Sequence, residues 1–312
     1  MFTRKQKLLL LKFFSLFSIV RGYNILIIVI AQYLTSIYIL APKLPIRKVI
    51  FDLNLLMIVL ASSCAIAGGY IINSFYDSEK DIINRPRKTM LDRLVSQRTK
   101  LSAYFVFNFL SVIFASYVSF RAVVFFSVYI FMIWFYSHKL KKYPFIGNLV
   151  AAILAVMPFF AVFIYYKNFE LVIFVHATFL FLLISMRELV KDLENLKGDL
   201  AQNYRTIPVV YGEKISKQML TVLALLTLVP VFLLVTRFEI GYMYLYFYIS
   251  IFFLAVFVGI LWRSARKLHY LILHNILKFT IVVGVFSIVL IDIEVLLTRF
   301  RNYAESLPGV LG

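Results

Sequence analysis

Apolar runs alternating with short charged segments set the plan of this chain. Runs long enough to cross a bilayer, about 20 residues each, fall near 17–40, 49–75, 101–120, 122–137, 145–166, 169–190, 218–236, 240–262 and 270–297. The pattern predicts an all-α, polytopic membrane protein with about nine spans. Its least marked boundary is the Phe120-Arg121 region, which alone separates the third run from a short fourth one. No soluble domain fits between the runs, so residues 1–312 read as a single transmembrane domain with a basic N-terminal segment of about 1–16 and a short tail of about 303–312. The N-terminus Met1-Phe-Thr-Arg-Lys-Gln-Lys7 leads into the first run without a clear small-residue cleavage site, so that run reads as an uncleaved span rather than a signal peptide.

Composition agrees. With 62% hydrophobic and 15% charged residues and a mean hydropathy of +0.89, the chain is too apolar for a soluble domain. A net charge of +18 would suggest nucleic acid in a soluble protein. Here the basic residues cluster between apolar runs, as orientation determinants do, and nucleic-acid binding is not expected. One side of the membrane collects Arg4, Lys5, Lys7 and Lys12, the Lys80 to Lys100 loop, Lys139, Lys141 and Lys142, the Arg187 to Lys217 loop, and Arg263, Arg266 and Lys267. The other holds Lys43, Arg47, Lys48, Arg121, Lys167, Arg237, Arg299 and Arg301. Positive charge marks the inner side, so the N-terminus and the two long loops are expected in the cytoplasm and the C-terminus outside. The single cysteine, Cys64, rules out an intramolecular disulfide and reads as a packed thiol.

Nine of the fifteen acids lie in those two loops: Asp77, Glu79, Asp81 and Asp92 in one, and Glu188, Asp192, Glu194, Asp199 and Glu213 in the other. Acids contribute little to topology, so orientation does not explain the clustering. Asn73, Asp77 and Asp81 stand at i, i+4 and i+8, which puts them on one face of a helix where their oxygens can converge on one or two cations. A hard cation held by few carboxylates keeps positions open for phosphate oxygens. A solvated helix end facing the headgroups is the competing reading. The second loop repeats the plan: Arg187, Lys191 and Asn195 share a helical face beside Glu188, Asp192 and Asp199, and Gly198 and Pro208 end the helix.

These residues carry a resemblance. The NxxxDxxxD pattern of Asn73, Asp77 and Asp81 followed by Asn84-Arg85-Pro86, and the extended acidic cluster Arg187-Glu188, Lys191-Asp192, Gly198-Asp199 and Thr206-Ile-Pro208, resemble the two motifs of the UbiA superfamily of intramembrane prenyltransferases. The stretch Tyr136-Ser-His-Lys-Leu-Lys141, with Pro144 and Gly147-Asn148, is similar to the family's basic loop. The resemblance implies a bundle of transmembrane helices around a central cavity, with two metal-bearing loops as a cytoplasmic cap. It implies Mg²⁺ held by Asn73, Asp77 and Asp81 on one side and by Asp192, Asn195 and Asp199 on the other. Arg187, Lys191, Arg85, Lys88, Lys139, Lys141 and Arg205 are then candidates to neutralise a departing diphosphate, although each lone basic residue also serves as a topology determinant. Asn195 departs from the family pattern, which commonly has Asp there, so one half of the site carries less charge. The substrates implied are a prenyl diphosphate and an acceptor, with no obligate protein partner. The second motif looks most like the branch that transfers a geranylgeranyl group to geranylgeranylglyceryl phosphate, and an aromatic acceptor of quinone synthesis is the alternative.

Arg21 and Asn24 open the first run, where a polar face can reach an acceptor head, or where Arg21 simply snorkels. His274 and Lys278 stand one turn apart in the last run, and Lys278 is not expected to face lipid. His138 and His176 have no second ligand at metal spacing. An ion-coupled transporter would place charge at midmembrane or break helices in matching halves, whereas the charge here sits at helix ends. A noncatalytic relative stays open through Asn195.

Overall fold

The computed structural model describes residues 4–292 and, among them, helices without strands. In chain order these are α1 (Arg4–Ile19), α2 (Gly22–Thr35), α3 (Ile46–Ile50), α4 (Leu53–Tyr76), α5 (Ser78–Asn84), α6 (Pro86–Asp92), α7 (Gln97–Val118) and α8 (Phe120–His138). They continue as α9 (Ile146–Tyr166), α10 (Leu171–Glu194), α11 (Leu196–Ala201), α12 (Ile207–Leu226), α13 (Leu228–Arg237), α14 (Tyr244–Arg263) and α15 (Lys267–Ser287). Among the described residues nine segments are long and apolar enough to cross a membrane, and they match the predicted runs one for one.

Two boundaries differ for physical reasons, and a third meets the end of the described residues. The first span starts at Gly22 rather than near residue 17, because Arg21 adopts a left-handed conformation (φ 52°) that stops α1 and lets α2 leave in a new direction. The seventh extends from Ile207 to Arg237 rather than from 218. At 31 residues it would measure about 46 Å if straight. That exceeds a hydrocarbon core of about 30 Å, so its polar first turns stand clear of lipid. Thr206 and Pro208 start it, and Gly212, at φ 80°, takes a conformation a side chain would strain. The ninth is described to Asp292, so positions 293–297, like the tail at 303–312, lie outside the described residues. The weak third-to-fourth boundary is an extended Ser119 whose hydroxyl accepts from Ala122 N at 3.1 Å and caps α8.

Buried α10 packs against α9, α12, α13 and α15, while α4 lies along α7. Small residues make the second contact close: Ala61 and Ala65 are at most 1% exposed, and Ser111 donates to the Ala61 carbonyl at 2.8 Å. Pro158 inside α9 cannot donate to Leu154, whose carbonyl instead accepts from the Tyr129 hydroxyl at 3.1 Å. Asp52 caps α4 at the opposite end from its motif, accepting from Asn54 N at 3.0 Å. These helices place the C-terminal ends of α4 and α10, with short α5 and α11, at one pole of the bundle.

Candidate active site

The first motif does not form one uninterrupted helical face. The i to i−4 bonds continue through it, from Asp77 N to Asn73 O at 2.9 Å and from Asp81 N to Asp77 O at 2.8 Å. Asp77 itself (φ −88°, ψ 3°) leaves helical geometry and joins α4 to α5. Asn73 and Asp77 therefore share one environment and Asp81 takes another. The Lys141 ammonium donates to both Asn73 Oδ1 (3.2 Å) and Asp77 Oδ1 (2.7 Å). Asp81 lines a separate cavity of about 140 Å³ with Ser78, Asp92 and Lys100. The convergence of three oxygens expected from the spacing is thus a convergence of two, and the bend at Asp77 is the reason.

In the second motif, Asn195 caps the end of α10 and Asp199 lies in α11. Asp199 is fully buried, and its counter-ion comes from the first motif: Lys80 Nζ stands 2.5 Å from Oδ1. No other group donates to that oxygen. Asp192 accepts from Asn148 Nδ2 at 2.8 Å. Glu188 pairs with Lys191 and, at 3.4 Å, with Arg187.

Asn84 fastens the two loops together. Its amide donates to the Asn195 carbonyl at 3.3 Å and its Oδ1 accepts from Gly198 N at 3.2 Å. A Cβ at Gly198 would stand 2.2 Å from Asn84 Nδ2, so only glycine allows the clamp. Arg85 turns the same way, onto Glu194 at 3.2 Å, and Glu194 also meets His274 Nδ1 at 3.0 Å. Tyr204 is the hub. The ammoniums of Lys80, Lys142 and Lys141 lie 4.7, 5.5 and 5.9 Å from its ring centre, and its hydroxyl donates to Asp77 Oδ1 at 3.4 Å.

Electrostatics follow from these contacts. Burial alone would raise Asp77, but Lys141 and Lys80 outweigh it and hold the carboxyl below the usual range. Burial outweighs Lys80 at Asp199, and repulsion from Asp77 adds to it, so that carboxyl is raised. Burial and then Asp77 push the Tyr204 phenol up. The pole is therefore rich in anionic oxygens already matched to cations, in a poorly hydrated place.

Beneath it lies a largely apolar cavity of about 410 Å³, reached by Asn73, Arg187, Glu188 and Lys191 at the motif end. Arg21, Asn24 and Lys278 also line it. Lys139 and Arg205 are exposed, and the Lys88 side chain lies outside the described ones. Sequence reasoning missed Lys80, Tyr204 and the clamping role of Asn84, although all three stand inside the stretches that carried the motifs.

Among the described residues no three acids, histidines or cysteines form a preassembled metal cluster. The donor set still fits a hard cation. Two oxygens from Asn73 and Asp77 already point at one positive centre, the Lys141 ammonium, and buried Asp199 Oδ1 likewise has the Lys80 ammonium beside it.

A membrane-spanning helical bundle whose two acidic loops meet at the end of a largely apolar cavity defines a class, and comparison with known proteins supplies its family. The UbiA prenyltransferase family model matches residues 26–272, and the chain belongs to that family; it is an integral, multi-pass membrane prenyltransferase. It is similar to the digeranylgeranylglyceryl phosphate synthase of Methanobrevibacter smithii, with 30% identity over 64% of this chain and 70% of the relative. It is 33% identical to that of Pyrococcus furiosus over 58% of this chain and 64% of the relative, just under two thirds of its length. Its fold is like a solved structure of a digeranylgeranylglyceryl phosphate synthase (TM-score 0.67, 20% identity, covering 90% of this chain and 98% of that one). It is also like a UbiA homologue from Archaeoglobus fulgidus bound to GPP and Mg²⁺ (TM-score 0.65, 14% identity, covering 88% and 99%).

Proposed function

We propose that this protein transfers a geranylgeranyl group from its diphosphate to geranylgeranylglyceryl phosphate, with Mg²⁺, at the cytoplasmic face of a membrane. The observation that carries the reading is the meeting of two acidic, lysine-neutralised loops beside one largely apolar cavity. A prenyl diphosphate has that same polarity, a charged head on a long apolar tail. The names of the relatives support the acceptor. The excess of basic residues on the motif side supports the orientation.

Asn73 and Asp77 are the proposed Mg²⁺ ligands of the first motif, with Asp81 facing the neighbouring cavity, and Asp192, Asn195 and Asp199 are those of the second. When bound, Mg²⁺ supplies positive charge to diphosphate oxygens and so favours their departure. Arg187 and Lys191 face the cavity and neutralise the leaving group. Lys141 and Lys80 hold the acids in place and add positive charge at the pole. Arg85 positions the site through Glu194, while exposed Lys139 and Arg205, with Lys88, add positive potential. The allylic C1–O bond breaks with its electron pair leaving on diphosphate, and the acceptor hydroxyl oxygen bonds to C1 and releases its proton. The protein supplies positioning and a dry cavity.

The test is product detection by mass spectrometry with purified protein in lipid, Mg²⁺ and geranylgeranyl diphosphate. Geranylgeranylglyceryl phosphate competes there against hydroxybenzoate and dihydroxynaphthoate, with a chelator control. The expected result is a chelator-sensitive ether lipid. An aromatic product keeps the chemistry and replaces the acceptor, and intact diphosphate with every acceptor removes the enzyme reading.

A further inference from the structure

The cations at and around the cavity differ in how their charge is compensated. At the motif pole five have a carboxylate: Lys141 has Asp77, Lys80 has Asp199, Arg85 has Glu194, and Lys191 and Arg187 share Glu188. Two further cations line the cavity, Arg21 and Lys278, and neither stands within ion-pair distance of a carboxylate among the described residues. The acid that lines the cavity, Glu188, is already taken. Lys278 is one turn beyond His274, which touches Glu194, and so sits about 6 Å further along α15 than that contact.

Both of these cations rest on tyrosines. Arg21 lies 5.0 Å from the Tyr70 ring centre, and Lys278 lies 4.3 Å from that of Tyr23 while donating to its hydroxyl at 3.3 Å. Aromatic faces orient a cation and leave its N–H groups available, unlike a carboxylate, which consumes charge and donors together. Arg21 is held there by its left-handed backbone, and Asn24, which donates to the Tyr70 hydroxyl at 3.4 Å, completes a polar patch on an otherwise apolar wall. Cations kept in a membrane-embedded cavity without a counter-ion are costly, and an anionic ligand is the direct compensation.

We propose that Arg21 and Lys278 form a second anion subsite that binds the phosphate monoester of the lipid acceptor. It is separate from the paired pole that takes the donor's diphosphate. The proposal rests on the acceptor reading above and adds where the headgroup is held and why a phosphate is required. A glycerol whose other positions carry an ether and a phosphate has its reacting hydroxyl within two carbons of that phosphate. Fixing the phosphate on the wall of the cavity that Arg187 and Lys191 also line therefore holds the hydroxyl near the allylic carbon. Tyr23 is 52% exposed while Lys278 lines the cavity, so the subsite lies where the cavity wall meets the outer surface between α2 and α15, open to a bilayer-borne acceptor.

The experiment compares geranylgeranylglyceryl phosphate with its dephosphorylated alcohol in the full chain in lipid nanodiscs. It measures KM for each substrate and, in EDTA, equilibrium binding of labelled acceptor. Lys278→Met and Arg21→Met should each raise the KM and the Kd for the phosphate-bearing acceptor about tenfold or more. KM for geranylgeranyl diphosphate should move less than twofold, and the preference for phosphate over alcohol should shrink by the same factor. Lys278→Arg should recover most of it, and thermal unfolding of each variant checks the fold. Variants that match the wild type overturn the subsite, as does a parallel rise in both KM values, which would give these cations to the diphosphate. A wild type that neither binds nor uses the phosphate-bearing acceptor overturns the acceptor reading and the subsite together.

Discussion

The first acidic loop takes its counter-charge from a distant linker, Lys141 on Asp77 at 2.7 Å, whereas the second takes its own from the first, Lys80 on Asp199 at 2.5 Å. The dependence is unequal, although Tyr204 of the second loop donates to Asp77 and Arg85 of the first pairs with Glu194 of the second. Asp77 keeps its ammonium whatever α11 does, but Asp199 is buried without compensation unless α5 is in place. Asn84 repeats the relation in neutral form, since a side chain of the first loop satisfies backbone groups of the second. Loop one is the template and loop two is fitted to it, so equivalent substitutions in the two should have unequal consequences.

The largest effect should come from the template's acid. Asp77→Ala removes the charge on which Lys141 and the Tyr204 hydroxyl converge, and turnover should fall by at least about 10³-fold, the cost of several kcal/mol of electrostatic stabilisation. Product formation by mass spectrometry reads this, and the double variant Asp77→Ala/Lys141→Met, which leaves no buried ammonium behind, should stay folded and equally inactive. Activity in Asp77→Ala would remove the metal role.

Lys80→Met tests the asymmetry itself. Asp199 is fully buried, and loss of its partner should destabilise by about 3 kcal/mol or more. Hydrogen exchange should rise in residues 195–204 and not at Asn73 or Asp77. Adding Asp199→Asn should restore the melting temperature. Equal loosening of both loops would mean that they support each other, and the template picture would fail. Gly198→Ala is the next smaller effect. Its methyl group meets the Asn84 amide, and the strain should cost about 1–3 kcal/mol. Combined with Asn84→Ala the loss should be less than additive in a double-mutant cycle, because the clash and the clamp share one contact.

Much of this pole is legible in the chain before folding. Nine apolar runs, the Asn73 to Asp81 spacing and the interleaved Arg187 and Lys191 are periodic features, and periodicity is what a sequence displays. The bend at Asp77 is a single pair of backbone angles with no period, so Asp81 reads as facing Asp77's site when it lines another cavity. Lys80 and Lys141 look like two more basic residues in a chain with thirty-three, and only three-dimensional proximity shows which acids they meet. Tyr204 is hidden in another way. Aromatics are 17% of the chain, and none stands out until three ammoniums are found around one ring. The break at Arg21 has a left-handed φ that its residue type does not advertise.

The smallest predicted effect is the most discriminating, because its two components have opposite signs. Asn195 closes α10, where unsatisfied carbonyls already make the helix end negative, and it stands four residues before Asp199. Asn195→Asp adds charge at that end, so the metal-free protein should lose about 0.3–1 kcal/mol. The same charge strengthens attraction for a divalent cation, and Mg²⁺ binding to the folded state raises stability in proportion to its affinity. The rise in melting temperature on adding Mg²⁺ should therefore be larger in Asn195→Asp than in the wild type, even though the variant melts lower in EDTA. If the second loop takes no metal, the variant melts lower in both conditions by the same amount. The fitted loop would then be a structural partner of the template, and the cation-binding oxygens would belong to Asn73 and Asp77 alone.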